Sequence, residues 1–577
     1  MFKKPVGMKK ALGLLLTASA LTLAACGANG TGSTNNEPVL DAEGNEVAFG
    51  RVGAMENFSV GDQFYATSPI ELTMLFRELA EAPFSNDWMM LDRLAERTNV
   101  SFSEVQPVLH DDFATQRQLL ISTGNAPELM PFIYGQDVAQ FVAGGSLLAL
   151  DDYFQYMPHF THFMDTWNLW DEFNINLRQA DGRHYMLPGI QEDTRVRFTV
   201  IMRQDILDDL GLDVPDNWDE IHEVLREVEA AFPGSFPYQE AWGGDATLNI
   251  AARTFGVRFG WGLGNGLVLD HTTNTHTHIS QMPEMRDFIE YWATLVEEDL
   301  LLPESMAGGF DEAWERFTNG YSFMVGTNGA PMHTSFTNDM AELAAEGFTG
   351  GPFGIEGAQL VTLPIPNGPT GMVGEARLNN GMVLNRSIAE REDFIAILQF
   401  IDWLWYSEEG REFSLWGIEG ETFEWVTEEG ETFRRLLPGF YNPSWPSEIG
   451  NALMAEDGWQ QMNRDLGFGE TVWLPTQGGS RDLLTSTLDS ENTAIHLANT
   501  ERVPHLPNPN PPFTELEQEA AGSIASQITD ATNAFAREII VGNRDISEWD
   551  AFAESVADQA ARLAEMADEA HARERLN

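Results

Sequence analysis

From Thr67 onward, short apolar runs of β character alternate with segments whose apolar residues recur at helical spacing, the pattern of an α/β chain. Ile70 to Phe76 reads as a strand. Trp88, Leu91, Leu94 and Ala95 share one face of a helix that ends near Asn99-Val100. A second helix, around Phe113 to Ser122, stops at Gly124-Asn125, and Ala126-Pro127 opens an extended segment from Glu128 to Tyr134. Phe288, Trp292, Leu295 and Val296 line a later helix, and Phe394, Ile397, Leu398, Ile401, Leu404 and Trp405 line a stronger one. Ile528, Phe535 and Ile539, followed by Trp549, Phe552, Val556 and Leu563, predict two closing helices. The chain shows no fixed-period repeat, and nothing after its first segment is apolar enough to cross a bilayer.

The first segment follows another rule. Lys3, Lys4, Lys9 and Lys10 precede an apolar run from Ala11 to Leu23, and Leu23-Ala24-Ala25-Cys26-Gly27 follows. Basic, apolar and then small residues is the layout of a secretory signal, and the run is shorter than the ~20 residues a membrane span needs. Its ending resembles the bacterial lipoprotein signal, in which residues 1–25 are removed and Cys26 carries the lipid. The alternative is an ordinary signal peptide with a chance cysteine; that Cys26 is the only one in the chain favours lipidation. Residues 26–66 then form a tether whose first part, 27–50, is rich in Gly, Asn, Ser and Thr.

Charge narrows the partners. The four lysines all lie in the signal, so 29 of the 33 basic residues are arginines, set against 89 carboxylates, and the processed chain carries about −60. Arginine stays charged where lysine deprotonates, which suits an alkaline medium, and a carboxylate-rich surface suits a saline one. Both habitats fit. Nucleic acid is excluded as a partner, and the membrane is reached through the lipid alone.

Several phrases, taken in order, resemble one family. Ser122-Thr123-Gly124-Asn125-Ala126-Pro127-Glu128-Leu129, Gly144-Gly145-Ser146-Leu147-Leu148-Ala149-Leu150-Asp151-Asp152-Tyr153 and Asp181-Gly182-Arg183-His184-Tyr185-Met186-Leu187-Pro188 come first. Arg203-Gln204-Asp205-Ile206-Leu207-Asp208-Asp209-Leu210-Gly211-Leu212, with Pro215 and Trp218-Asp219-Glu220, is the most specific. Phe317-Thr318-Asn319-Gly320-Tyr321, Trp416-Gly417-Ile418-Glu419-Gly420 and Phe535-Ala536-Arg537-Glu538-Ile539-Ile540-Val541-Gly542 follow. Together they resemble the extracellular solute-binding lipoproteins of bacterial ABC importers, the maltose-binding-protein-like family and its longer oligosaccharide-binding subgroup. The chain departs from the pattern at Glu128, where Asp is usual, and it has no Asp-rich calcium loop.

The resemblance implies a two-lobed α/β fold of the periplasmic-binding-protein type II, with interlobe crossing strands and a helical C-terminal part. It places residues 67–190 and about 365–405 in one lobe, and 191–364 with about 406–577 in the other. Crossings are expected near Pro188 to Arg195, Val361 to Pro366 and Tyr406 to Gly417. It also implies a monomer on the outer face of the cell membrane, delivering a carbohydrate to permease subunits, with no cofactor.

A sugar needs aromatic faces for its C–H surfaces and planar polar groups for its hydroxyls. Position in the family pattern singles out Phe132, Tyr134, Trp242, Trp416 and Trp445 as platforms, and Arg77, Glu78, Asn328, Glu375 and Arg377 as polar partners. Several arginines in the cleft would point to acidic sugars. His276 and His278 share a strand face, but no local Cys or carboxylate completes a metal set, and an exposed turn and strand is expected there. The rival class is a lipid-anchored glycoside hydrolase. Adjacent carboxylates such as Glu408-Glu409 arise by chance in so acidic a chain, and no nucleophile elbow, zinc helix or phosphate loop appears. A ligand-sensing lipoprotein of the same fold is the third reading.

Overall fold

The computed structural model describes residues 49–468 and 511–576, except 81, 143, 191–197, 371, 374–376, 429, 444 and 446, together with 39–40, 46–47, 503–504 and 508. Cys26 lies outside these residues. The chain first lays down strand β1 (Ile70–Glu78), helix α1 (Met89–Thr98), β2 (Val100–Leu109), α2 (His110–Ser122), β3 (Leu129–Ile133), α3 (Gly135–Val142), α4 (Pro158–Thr166) and β4 (Met186–Ile190). It then builds β5 (Phe198–Arg203), α5 (Trp218–Ala231), β6 (Tyr238–Glu240), α6 (Asp245–Phe255), a hairpin of β7 (Leu267–Asp270) and β8 (Thr275–His278), α7 (Pro283–Glu297), β9 (Met324–Asn328), α8 (Gly329–Ala345) and β10 (Leu360–Thr362). It returns as β11 (Leu378–Leu384), α9 (Phe394–Tyr406), α10 (Glu408–Trp416) and a hairpin of β12 (Phe423–Glu428) and β13 (Glu431–Leu436). It closes with α11 (Glu515–Ile540) and α12 (Trp549–Leu576).

Two sheets organise these elements. The first has the order β2-β1-β3-β11-β4, and the second β10-β5-β9-β6. In the first, β1 runs parallel to β2 and β3, while β11 runs antiparallel to β3 and β4. In the second, β9 is parallel to β6 and antiparallel to β5, and β10 is antiparallel to β5. The chain leaves the first sheet at Ile190 and enters the second at Phe198; it leaves again after Thr362 and re-enters at Leu378. At both sheets these exits lie on the edge where the parallel strands end. The two C-terminal edges therefore face one another across the crossings, which puts a cleft at the ends of the strands, where open α/β sheets bind ligands.

Each sheet carries its own core. Leu72, Met74, Leu129, Ile133, Met186 and Val383 belong to the first, with α9 buried over its whole length beneath them. Val200, Met202, Trp218, Leu248, Trp292 and Met324 belong to the second. Tyr406, Phe413, Trp416, Phe423, Leu436, Trp445, Met462 and Phe468 pack in the first core, so the expected assignment of residues 406–468 to the second lobe does not match the packing. Helix α10 continues from α9 in the same lobe, its start capped by the Ser407 hydroxyl accepting the Gly410 N–H. The third passage falls between Phe468 and Phe513, not between Tyr406 and Gly417. Beyond it, α11 and α12 cover the second lobe through Ile528, Ala536, Ile539, Trp549 and Leu563.

A buried polar lock secures the first lobe. Asp402 of α9 is fully buried and accepts the backbone N–H groups of His159 (2.9 Å) and Phe160 (2.8 Å), two donors that the first turn of α4 leaves open. Its carboxylate also lies 2.8 Å from His159 Nδ1, while His159 Nε2 accepts the Gly61 N–H. That pairing fixes the imidazole with its proton on Nδ1.

Candidate cleft between the two sheet edges

On the first edge, β1 ends in Arg77-Glu78, β2 runs into His110 and β3 into Tyr134. The Arg77 guanidinium lies over the Phe132 ring at 3.9 Å and donates from Nη1 to His110 Nδ1 at 2.8 Å. Phe132 is set edge-on to His110, Phe113 and Tyr134. Its carbonyl accepts from Arg117, and its backbone sits at φ +60°. Tyr134 is 44% exposed and presents its ring at the rim. Glu78 is turned back into the lobe, accepting the Phe84 N–H at 2.8 Å.

On the second edge, Trp242 follows β6 and stacks on Phe310, with centroids 4.7 Å apart and planes at 15°. Trp261 stands 5.5 Å from Trp242, and Phe198 closes the group at 5.1 Å from Trp261. Trp261 is 50% exposed, which leaves an aromatic face free for a ligand. Trp242 too has a left-handed backbone, φ +51°. Among the described residues the other non-glycine positions of this kind are Asn or Asp except Phe236. A bulky aromatic in that region costs energy, and such strain concentrates at functional sites. Asn328 ends β9, half-buried, and its side chain makes no capping bond to α8.

Beneath this platform lies Glu240, fully buried, with the Tyr238 hydroxyl donating to its Oε1. Burial pushes its pKa up to about 8, against the hydrogen bond from Tyr238 and the charge of Arg537. Arg537 pairs with Asp245 and donates to the Gly243 carbonyl at 2.9 Å, tying α11 to the platform loop. Burial also raises the Asp245 pKa, with Arg537 opposing.

Of the residues expected to bind, the structure brings Arg77, Phe132 and Tyr134 together on one edge, and Trp242 and Asn328 on the other. Glu78 is turned back into the lobe, and two others fall elsewhere. Trp416 and Trp445 are buried side by side in the first core, centroids 4.2 Å apart, and present no face to a solute. Arg377 reaches the first edge, but its main-chain N–H and Nε hold Glu172 at 2.6 and 3.0 Å and its Nη1 holds the Trp167 carbonyl at 2.9 Å. Glu375 lies outside the described residues. Trp261, Phe310, Phe198 and His110 were missed. Trp261 sits between Gly260 and Gly262, where side chains would strike Asp245 and Asn249, and a glycine-rich setting is shared by Trp242, which Gly243 and Gly244 follow.

The histidine strand is not exposed. His276 and His278 are buried under the C-terminal helices, His276 Nδ1 lying 2.7 Å from Asp568 Oδ1 and His278 Nε2 lying 3.1 Å from Thr529 Oγ1. Burial lowers the His278 pKa to about 4. Among the described residues no group of three or more His, Cys, Asp or Glu could hold a metal ion, and no helix is long and apolar enough to cross a membrane.

Two α/β lobes, joined by crossing segments and facing each other with aromatic and polar edges, define a solute-binding protein. Residues 94–404 match the family described as bacterial extracellular solute-binding protein, and the chain belongs to that family. It is therefore a binding protein and not an enzyme. It is 26% identical over 235 residues to the fructooligosaccharide ABC transporter substrate-binding protein FusA of Streptococcus pneumoniae; that alignment spans 38% of this chain and 38% of the relative's length. Among solved structures, the alginate-binding protein AlgQ2 without calcium ion is similar at a TM-score of 0.63 and 16% identity, over 88% of this chain and 99% of that one. Streptococcus pneumoniae FusA in complex with kestose is similar at 0.59 and 16% identity, over 88% and 100%.

Proposed function

We propose that this protein is the substrate-binding component of an ABC importer, and that it captures an oligosaccharide between the two sheet edges and hands it to permease subunits. The observation that carries the reading is the pair of opposed aromatic edges, Phe132 and Tyr134 on one lobe and Trp242 with Trp261 on the other. Stacking from both sides suits the C–H faces of sugar rings, while Asn328 supplies an amide that both donates and accepts toward hydroxyls. The partial sequence relationship to a fructooligosaccharide-binding protein supports the same cargo class. Closure of the lobes by rotation about the crossings would engage both edges at once, and this difference between open and closed states tells a permease which copies are loaded. In this reading Cys26 carries the lipid and holds the protein on the outer face of the membrane as a monomer, with the tether ending before residue 49. The expected tether to residue 66 is too long, because residues 50–66 pack on the first lobe, with Phe64 and Ala66 in its core and Val52 bonded to the Glu392 carbonyl.

A thermal-shift screen of residues 27–577 tests the cargo class. A ligand at about 100 times its Kd adds about 2.7 kcal/mol to the folded state. A saccharide that raises the midpoint and is recovered intact supports the reading. A response to peptides alone discards the sugar.

A further inference from the structure

The second-lobe platform is assembled from three separate stretches of chain, and one side chain reaches all of them. Trp242 comes from the loop between β6 and α6, Trp261 from the loop after α6, and Phe310 from the segment between α7 and β9. Arg537, on α11, donates from Nη1 to the Gly243 carbonyl at 2.9 Å and the Met306 carbonyl at 3.4 Å, and it pairs through Nη2 with Asp245. Its guanidinium also lies 5.3 Å from the centroid of the Phe259 ring. Gly243 directly follows Trp242, Met306 shortly precedes Phe310, and Phe259 shortly precedes Trp261.

The platform loop needs such a tie. Trp242, Gly243 and Gly244 take successive left-handed conformations, at φ +51°, +63° and +77°. A run of this hand is disfavoured for L-residues, and a bulky residue held in it persists only where the surroundings fix it. The stretches also meet main chain to main chain: a Cβ on Gly243 would come within 3.2 Å of the Met306 carbonyl, and one on Gly260 would strike the Asp245 carbonyl. A planar guanidinium answers two carbonyls and a carboxylate at that junction together, in a fixed fork that an ammonium lacks. Docking of α11 itself has another source, since Ala536, Ile539 and Ile540 are buried in the second core.

We infer that Arg537 is a positioning residue for cargo binding, acting through Trp242, Trp261 and Phe310 by fixing the loops that carry them. Helix α11 is thereby part of the binding apparatus as well as a cover for the second lobe. The inference rests on the oligosaccharide reading and adds the residue that holds one of its two platforms in place.

Arg537→Met and Arg537→Lys in residues 27–577 test it. Arg573→Met is the comparator, because Arg573 ties α12 to Glu517 of α11, about 30 Å along that helix from Arg537. Calorimetry gives Kd for a saccharide that raises the parent's melting temperature. Near-ultraviolet circular dichroism without ligand reports the Trp242 and Trp261 rings, 5.5 Å apart, and the Trp242 contribution is the difference between the parent and Trp242→Phe. Arg537→Met should keep the parent's far-ultraviolet spectrum, lose most of the Trp242 contribution and bind about tenfold more weakly. Arg537→Lys should fall between the two, keeping a charge beside Asp245 without the fork. Arg573→Met should leave Kd and the near-ultraviolet spectrum as in the parent. A Kd for Arg537→Met within about twofold of the parent's, or a weakened Kd with the Trp242 contribution intact, overturns the inference. So does equal weakening in Arg573→Met, since helix docking alone would then account for the loss. Should Arg537→Met fail to fold, parental Kd and spectrum in Arg537→Lys overturn it. If no saccharide binds the parent, the oligosaccharide reading fails, and the ligand-free spectrum alone decides whether Arg537 sets the rings.

Discussion

Replacing Glu240 with glutamine isolates the cost of holding a carboxyl beneath the second-lobe platform. The native carboxyl is fully buried and keeps its proton up to about pH 8, because ionisation in that position would sacrifice hydration. In the unfolded chain the same group releases its proton near pH 4.5. Between these values the folded state binds one proton more than the unfolded state, so stability falls as pH rises. The slope is about 1.4 kcal/mol per pH unit, and the loss accumulates to at most about 5 kcal/mol by pH ~8. Below pH ~4.5 the contribution is fully present. Glutamine keeps the shape, accepts from the Tyr238 hydroxyl as Oε1 does, and has no proton to lose in this range. The variant Glu240→Gln should therefore match the parent near pH 5 and exceed it by several kcal/mol near pH 9. Urea unfolding at about pH 5, 7 and 9, followed by both tryptophan fluorescence and circular dichroism because the two lobes have separate cores, measures the gap. Parallel pH dependences for parent and variant would refute the reasoning, since the carboxyl would then titrate alike in both states.

Asp402→Ala should destabilise the first lobe by about 3–5 kcal/mol, read as a lower urea midpoint, because it strands two backbone donors of α4 and the His159 imidazole in a dry site. Trp261→Ala should weaken saccharide binding about tenfold in calorimetry while leaving the melting temperature nearly unchanged, since the ring is half exposed. Arg377→Ala should act through stability and not through ligand contact, lowering the melting temperature by removing the guanidinium's bonds to Glu172 and the Trp167 carbonyl, with only the main-chain N–H still holding Glu172, and leaving Kd nearly constant. Asp568→Ala should speed amide exchange in β8 and in residues 549–576, because the His276 ring and backbone N–H both depend on that carboxylate.

Much of the fold is written in local periodicity. The strand from Ile70, the helix ending at Asn99, the extended segment to Tyr134 and the two closing helices all match observed elements. Asn99 ends its helix because it takes the left-handed backbone, φ 59°, that Asn tolerates. What local pattern cannot report is which lobe a segment joins. Trp416 and Trp445 look alike from sequence whether they line a cleft or fill a core, and the deciding contacts come from residues distant in the chain. Arg377 is similar: its partner Glu172 lies 205 positions away, so nothing near it shows that its guanidinium is already taken. The aromatics at the strand ends were more legible, since Phe132 lies in the last two residues of β3 and Trp242 follows β6 in a glycine-rich turn. Trp261 was overlooked because its platform forms only when the loop after α6 folds back onto the loop after β6.

The proposed function requires that a saccharide be held by both sheet edges at once. Hydrogen–deuterium exchange of residues 27–577, with and without a saccharide that raises the melting temperature, tests it most directly. Coincident protection around residues 109–114 and 132–136 on the first edge, and 241–247, 260–263 and 328–332 on the second, is the predicted result. Protection confined to one lobe, or appearing only on surfaces away from both edges, would contradict it.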